Sequence, residues 1–296
     1  MTAHRLRALF APLLIVLVVG VLSACASSPR PVAAGEAATL RVMTFNVRYA
    51  SPSDGVNLWE NRRALTLKTI VDQQPDLIGM QELLLGQATW LDQQLPHHAW
   101  FGKGRNGNEV DGNGNEHMGL FYDTRRLTLL RQGDFWYSET PDVPGSANFD
   151  GPMPRMATWG EFEDTRNGKR FFLFNTHLPH TDAAEALRER CARLLLARIR
   201  QLAGDAPVVV TGDFNAHPDG PTHKLLTAQL SDAWEQAPQR SGPEKTAHAF
   251  TGNPDARIDW VLFRQFGIRS VHSVDDHEGP LYPSDHYPVV AELTWL

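Results

Sequence analysis

The sequence predicts an α/β fold in which two mixed β-sheets pack face to face and helices cover their outer sides. Apolar β-type runs alternate with helical segments in the first part of the chain, whereas the middle part has short, aromatic-rich runs typical of antiparallel strands. When the N-terminal segment described below is set aside, about 260 residues remain, which is enough for one large domain with a sizeable core.

The first part of the chain contains two predicted strands and two predicted helices. In chain order these are a strand at 41–47, a helix at 60–73, a strand at 76–81 and a helix at 85–95. Pro75 and Pro96 follow the two helices and are expected to end them, because proline lacks the N–H that a helix needs. The stretch 102–115 is rich in glycine and asparagine and predicts a loop.

The rest of the chain adds further strands and one long helix. The strands are predicted at 118–122, 127–137, 157–163, 170–175, 207–211, 258–263, 268–273 and 287–293. The helix is predicted at 183–203, where Leu187, Cys191 and Leu195 recur at helical spacing. Cys191 is therefore expected to be a core thiol, and with Cys25 as the only other cysteine we expect no intramolecular disulfide.

The N-terminus has the pattern of an export signal. A basic start precedes an apolar run over 9–22 that is too short to span a bilayer. Leu22-Ser23-Ala24-Cys25 resembles the bacterial lipobox, which predicts a lipoprotein signal peptide at 1–24, a lipidated Cys25 and a flexible tether over 25–38. The alternative is an ordinary cleaved signal in which the cysteine is incidental. Ala26 and Ser27, which follow Cys25, lack the aspartate associated with retention of lipoproteins in the inner membrane. We therefore expect an anchor in the outer membrane, on the periplasmic side.

The charge balance narrows the class of partner. The chain has a formal net charge of −6, and the arginines of the predicted signal peptide make the remainder more acidic still. Because non-specific binding to nucleic acid depends on many basic side chains, a protein that grips long DNA is not favoured. Single arginines near the motifs described next could still hold one phosphate each; they are Arg48, Arg62, Arg63 and Arg155.

Six short polar motifs follow one another along the chain, each at or near the end of a predicted strand. They are Thr44-Phe45-Asn46, Gln81-Glu82, Asn175-Thr176-His177, Gly212-Asp213-Phe214-Asn215, Arg257-Ile258-Asp259-Trp260 and Ser284-Asp285-His286. Strands that end in such residues place acids, bases and hydrogen-bonding groups along one rim of a sheet, where ligands commonly bind. Any one motif has an alternative interpretation as a turn or cap, but six in order indicate a functional rim.

The order of these motifs resembles the endonuclease/exonuclease/phosphatase superfamily, the DNase I-like group, over residues 39–293. The resemblance implies that residues 39–296 form a four-layer α/β sandwich of two packed mixed β-sheets flanked by helices. It also implies a divalent cation, Mg²⁺ or alternatively Mn²⁺, and hydrolysis of a phosphate ester by direct attack of water.

The resemblance further implies roles for the carboxylates and amides of the motifs. Glu82 is the principal metal ligand, with Asn46 close by and Asp285 facing the same site. A hard cation such as Mg²⁺ keeps several waters, so it needs few protein oxygens. Asp213 and Asn215 position and deprotonate the attacking water.

Two histidines complete the implied site. His286 contacts the phosphate, and Asp259 bonds to its other ring nitrogen. His177 is a second catalytic histidine, and Glu116 orients it. The alternative interpretation of Glu116 is an exposed loop residue.

Arg155 is a candidate phosphate ligand, and the alternative is that it forms a structural salt bridge. The remaining histidines near the motifs are expected on the surface; they are His180, His217, His223 and His248.

These observations predict a metal-dependent phosphoesterase acting on a monoester or diester in a small phosphorylated metabolite, a sugar phosphate or a lipid headgroup. One alternative is an extracytoplasmic DNase I-like nuclease. Another is a non-catalytic lipoprotein that binds a phosphorylated ligand, although the complete set of motif residues argues against it. We expect a monomer attached to the membrane through the lipidated Cys25, with nucleic acid a less favoured partner.

Overall fold

The structure, a computed structural model, describes residues 39–108, 112, 114–147, 149, 151–181 and 184–296. The predicted signal peptide at 1–24 and the predicted lipidated cysteine and tether at 25–38 lie outside the described residues. Within the described ranges, no helix combines the length and apolar character needed to cross a membrane.

Thirteen strands and five α-helices make up the described part of the chain. The strands are β1 (Thr39–Asn46), β2 (Leu77–Leu83), β3 (His98–Phe101), β4 (His117–Asp123), β5 (Leu127–Trp136), β6 (Met156–Asp164), β7 (Lys169–His177), β8 (Val208–Asp213), β9 (Ser231–Asp232), β10 (Gln239–Ser241), β11 (Asp259–Arg264), β12 (Phe266–Ser273) and β13 (Val289–Trp295). The helices are α1 (Trp59–Gln73), α2 (Leu85–Gln94), α3 (Glu185–Ala203), α4 (Pro221–Thr227) and α5 (Ala233–Gln236), with a short 3₁₀ helix at Gly55–Asn57.

The strands form two mixed sheets that pack face to face. One sheet has the order β10-β12-β13-β1-β2-β4-β3 and the other has the order β5-β6-β7-β8-β11-β9. Val42 of β1 and Val209 of β8 point into the core between the sheets. Their neighbours point outward because side chains alternate along a strand: Met43 packs in the core that includes α1 and α2, and Val210 in the core that includes α3. The predicted fold class, two packed mixed sheets flanked by helices, is confirmed.

The main differences from the predicted elements are short additions. The edge strand β3 was not predicted, because it has only four half-buried residues and no clear alternation. The sequence also predicts no element between β8 and β11, yet this segment contains α4, α5, β9 and β10. The last strand begins at Val289, two residues later than predicted, since Pro288 has no N–H to donate to a neighbouring strand. Cys191 is fully buried in the core beneath α3, as predicted.

Near the centre of each sheet lies a parallel pair of strands, β1 with β2 and β7 with β8, and the first sheet has a second parallel pair, β10 with β12, at its edge. Parallel strands end at the same edge of a sheet, and the register places Asn46 beside Gln81 and His177 beside Asp213. The two central pairs contact each other across the inner core. The carboxyl ends of four strands therefore converge on one edge of the sandwich.

Asn175 joins the two sheets just behind this edge. Its side-chain nitrogen donates to the Met80 and Gly119 carbonyl oxygens at 2.7 and 3.1 Å, and its oxygen accepts from Gln81 Nε2 at 2.6 Å. Gly79 allows this approach, because a Cβ there would lie 2.6 Å from the Asn175 oxygen. Asn175 is fully buried, so the amide acts as a structural bridge rather than a ligand.

Arg62 of α1 ties together two chain segments near the same edge. Its guanidinium is fully buried and donates to four backbone carbonyl oxygens, those of Asn57, Val47, Pro283 and Arg48, at 2.6–2.9 Å. Burial lowers the pKa of Arg62 to about 10, so the side chain remains charged at neutral pH. These contacts hold the segment after β1 against the segment that precedes Ser284. Arg62 is therefore inside the fold and is not available to hold a phosphate.

Replacing Arg62 with methionine should lower the free energy of unfolding by about 3 kcal/mol or more, because several buried carbonyl groups lose their donors. Urea unfolding followed by tryptophan fluorescence measures this loss. Arg63→Met is the matched control, since Arg63 is the next residue of the same helix, is exposed and stacks on Trp90. Equal losses in the two variants would contradict the structural role of Arg62.

Candidate active site

The convergent strand ends form the floor of a cleft of about 530 Å³. Eight of the ten predicted site residues line it; they are Glu82, Glu116, Arg155, His177, Asp213, Asn215, Asp285 and His286. The other two, Asn46 and Asp259, lie directly behind this lining and hydrogen bond to it. The structure thus brings together residues from six motifs spread over most of the chain.

Asn46 links the two carboxylates at the centre of the cleft. Its side-chain nitrogen donates to Glu82 Oε1 at 3.1 Å and to Asp213 Oδ2 at 2.9 Å. Its oxygen accepts the Arg48 N–H at 3.0 Å, and the second Glu82 oxygen accepts the Tyr49 N–H at 3.2 Å. Asn46 therefore faces the carboxylates with its nitrogen, and metal ligation by its oxygen stays a prediction.

Three non-glycine residues at or after the strand ends adopt left-handed backbone conformations. The φ angles are 57° for Glu82 at the end of β2, 49° for Asn215 after β8 and 53° for Arg48 after β1. Such angles are uncommon outside glycine and cost free energy, so they are typical of sites where a side chain must be aimed. All three residues line the cleft, which gives the strained turns a functional interpretation.

The predicted pair between His286 and Asp259 is present. His286 Nδ1 lies 2.8 Å from Asp259 Oδ2 and 4.0 Å from Asp213 Oδ2. Burial lowers the pKa of His286, but the charge and hydrogen bond of Asp259 outweigh it, and the pKa ends well above the usual value. The imidazolium form is therefore favoured, with Nδ1–H directed to Asp259 and Nε2–H available to a ligand.

The predicted pair between Glu116 and His177 is wrong. Glu116 accepts a hydrogen bond from Arg105 Nη1 at 2.8 Å, because the loop after β3 brings Arg105 over the cleft. His177 Nε2 lies 3.4 Å from Asp213 Oδ2, and its buried Nδ1 has no hydrogen bond within the described part of the chain. Burial, together with the nearby charge of Arg155, holds the pKa of His177 well below its usual value, so the ring is neutral.

Several buried or half-buried carboxylates share the cleft. Burial, reinforced by the charge of Asp259, raises the pKa of Asp213 to about 7. Burial, reinforced by Glu82, raises the pKa of Glu116 to about 7, and burial also raises that of Asp285. A divalent cation would relieve this repulsion, and it prefers carboxylate oxygens as ligands. The donor set therefore fits the predicted metal, which Glu82 and Asp285 would hold.

Arg155 provides hydrogen-bond donors in the cleft wall. It is only 3% exposed, and its Nη2 donates to His180 Nδ1 at 3.0 Å. Its Nε and Nη1 are buried and have no hydrogen-bond partner among the described residues. These unsatisfied donors fit an anionic group such as phosphate.

Sequence reasoning missed several residues that line the cleft, among them Arg105 and His180. His180 is exposed as predicted, but it also faces the cleft. Its position three residues after His177 was the sequence signal that could have identified it.

The prediction that His223 and His248 lie on the surface is wrong, because each is only 3% exposed. His223 hydrogen bonds to Asp232 at 2.8 Å, so it belongs to a buried ionic cluster outside the cleft.

Comparisons with known proteins agree with this geometry. A sequence model described as the Endonuclease/Exonuclease/phosphatase family matches residues 43–286, a range that contains all of the strand-end residues above. The solved structure of the endonuclease/exonuclease/phosphatase from Bacteroides vulgatus is 32% identical, with a TM-score of 0.82 over 88% of this chain and 100% of that chain. The mannosyl-6-phosphatase of Bacteroides thetaiotaomicron is 29% identical, with a TM-score of 0.80 over 86% of this chain and 100% of that chain.

A relative found by sequence comparison also resembles this chain over most of its length. The protein L388 of Acanthamoeba polyphaga mimivirus is 27% identical over 274 residues, which are 85% of this chain and 98% of that protein. The family match, the similar structures and the strand-end site all point in one direction. The chain belongs to the endonuclease/exonuclease/phosphatase family, whose hydrolases act on phosphoester bonds.

Proposed function

We propose that the protein is a divalent-metal-dependent phosphoesterase that hydrolyses a small phosphate monoester, with sugar phosphates as the favoured class. The observation that carries the proposal is the cleft itself. Carboxylates for a cation, the His286–Asp259 pair and the unsatisfied donors of Arg155 all line or adjoin one space of about 530 Å³. That combination suits a phosphoryl group held between a cation, a base and hydrogen-bond donors.

Mg²⁺ is the expected cation and Mn²⁺ the alternative, with Glu82 and Asp285 as the ligands. A divalent cation supplies positive charge that offsets the negative charge growing on the phosphoryl oxygens during the reaction. Arg48 lies 3.7 Å from Asp285 and is itself bonded to Asp54, so it limits the movement of the Asp285 carboxylate.

Asp213 is the proposed general base for the attacking water. Its Oδ1 accepts the Asn215 N–H at 3.0 Å, and its Oδ2 accepts from Asn46, so the carboxylate has one orientation. The Asn215 side-chain nitrogen donates to the Leu178 carbonyl oxygen at 3.1 Å. This contact leaves the Asn215 oxygen to orient the water for in-line attack on phosphorus.

His286 and Arg155 are the proposed contacts to the phosphoryl oxygens. The Asp259 carboxylate keeps the His286 ring charged, so Nε2–H can donate to an oxygen whose negative charge increases during attack. Arg155 offers Nε and Nη1, which have no hydrogen-bond partner among the described residues. The neutral ring of His177 lies beside the base, with its Nε2 3.4 Å from Asp213 Oδ2.

A small monoester is favoured over a long nucleic acid for two reasons. The cleft is bounded by Pro52 on one loop and by Met153 and Gly114 on two others, and the chain carries a net charge of −6. A long polyanion needs an extended basic surface instead. The similar mannosyl-6-phosphatase structure, at 29% identity over 86% of this chain, also supports a sugar phosphate. The predicted lipid anchor and envelope location remain proposals from the sequence.

Hydrolysis of mannose 6-phosphate should exceed that of bis-p-nitrophenyl phosphate in kcat/KM, and both activities should disappear when EDTA removes the cation. Release of phosphate or nitrophenolate in the presence of Mg²⁺ measures this. Faster hydrolysis of the diester, together with nicking of plasmid DNA, would favour the nuclease alternative. Activity that survives EDTA would contradict the metal dependence.

Glu82→Gln should weaken cation binding, because an amide oxygen replaces a charged ligand. In the unaltered protein, saturating Mg²⁺ should raise the melting temperature by roughly 5 °C, since a ligand that binds only the folded state stabilises it. The variant should lose most of that shift at the same Mg²⁺ concentration. Glu60→Gln, an exposed glutamate on α1, is the control and should keep it. An unchanged shift in Glu82→Gln would remove this residue from the metal site.

His286→Ala should reduce kcat by at least about 100-fold, because a charged donor to the phosphoryl group is lost. The melting temperature should fall as well, because the buried Asp259 carboxylate loses its charged partner, so the kinetics are compared well below both melting temperatures. Steady-state kinetics and thermal melts on the same preparation separate the two effects. The control is His97→Ala, an exposed histidine outside the cleft. Retained activity in His286→Ala would overturn the assignment.

A further inference from the structure

The cleft has a buried floor and a partly exposed rim, and the two parts would contact different parts of a substrate. Asp213 is 1% exposed, and His177 and Arg155 are each 3% exposed, so the reacting phosphoryl group must lie deep among them. The leaving alcohol must then extend outward past the rim. Among the rim residues, Tyr49 and Met153 are half-buried and His180 is exposed.

The contact with Arg155 determines which nitrogen of His180 carries the proton. A guanidinium can only donate, so the hydrogen bond of 3.0 Å from Arg155 Nη2 makes His180 Nδ1 an acceptor. The ring is neutral because burial, and then the charge of Arg155, lower its pKa. Its single proton is therefore on Nε2. Within the described chain, His180 makes no hydrogen bond other than the one from Arg155.

His180 is thus a neutral donor held at a defined place on the rim. The lining of the same cleft also includes an aromatic ring and two largely apolar side chains, those of Tyr49, Pro52 and Met153. Arg48, a charged residue of the lining, is bonded to Asp54 through two nitrogens and lies over the Tyr49 ring, with its guanidinium carbon 4.5 Å from the ring centroid. A rim with apolar surfaces and a neutral donor suits a hydroxylated ring, whose C–H face packs while its oxygens accept hydrogen bonds.

We propose that His180 is the specificity-determining residue for the leaving group, donating from Nε2 to a hydroxyl or ring oxygen of a sugar-like alcohol. The inference rests on the proposed phosphoesterase function, and it assigns the phosphoryl group to Arg155 and the alcohol to His180. A phosphate ester whose alcohol has no hydroxyl group should gain nothing from this contact.

The test compares two monoesters, mannose 6-phosphate and p-nitrophenyl phosphate, because only the first has hydroxyl groups on its alcohol. His180→Ala should lower kcat/KM for mannose 6-phosphate about tenfold, the effect of one lost hydrogen bond. For p-nitrophenyl phosphate the change should stay within about threefold. His180→Asn keeps an acceptor near the position of Nδ1 for Arg155 but has no donor at the position of Nε2, so it should behave like His180→Ala on the sugar phosphate.

Three outcomes would overturn the inference: equal loss on both substrates, no loss on either, or full recovery in His180→Asn. The first and third would mean that His180 acts only by holding Arg155. His217→Ala is the matched control, since His217 is also exposed, follows a neighbouring strand end and does not line the cleft. If the unaltered protein hydrolyses neither monoester, the proposed function itself fails. Hydrolysis of p-nitrophenyl phosphate alone would retain the phosphoesterase and reject the sugar-like alcohol.

Discussion

The arrangement of the cleft depends on one buried cation, the guanidinium of Arg62. It satisfies backbone carbonyls on two segments, around Val47 and at Pro283, that lie more than 200 residues apart in the chain. Ser284 then donates to the Asn46 carbonyl oxygen at 2.6 Å, which extends the same junction to the next residue. The hydrogen bonds of Arg62 go to carbonyl oxygens, so it holds these segments without using a carboxylate of the site as an acceptor, and its positive charge favours the ionised form of Asp285. The acidic character of the cleft is thereby preserved.

The acidic character of the cleft costs folding free energy, because negatively charged carboxylates repel one another. Glu82 and Asp213 are brought together by the ends of β2 and β8, and Asp285 joins them from the segment before β13, while Asn46 supplies hydrogen bonds to Glu82 and Asp213 but no charge. Folding therefore brings together groups that repel one another, and binding of a divalent metal ion would release part of that unfavourable energy. The same side chains would link folding to metal binding, because the free energy that opposes folding would then favour binding of the ion.

The motif residues could be predicted from sequence because a regular rule places them. Parallel strands end together, so Asn46, Glu82, His177 and Asp213 had to meet once their strands were recognised. Contacts made by loops follow no such rule. The partner of Glu116 depended on the path of the loop after β3, which brings Arg105 to it.

The roles of other residues could not be predicted, because the same residue type in the same sequence context can serve more than one role. An arginine near an anion site predicts a ligand, yet Arg62 turns inward to carbonyl groups, a choice decided by tertiary packing. A histidine in a loop predicts a surface residue, yet His180 faces the cleft because Arg155 donates to its ring. In both cases the deciding partner is a group from another part of the fold, which local patterns do not reveal.

The left-handed residues at the strand ends have an evolutionary consequence. At Arg48, Glu82 and Asn215 the backbone adopts angles that glycine would tolerate at lower cost, by about 1 kcal/mol or more at each position. A lineage under selection for stability alone would drift toward glycine there and lose the side chains that line the cleft. Relatives that have abandoned catalysis should therefore be recognisable by glycine at these positions before the rest of the sandwich diverges.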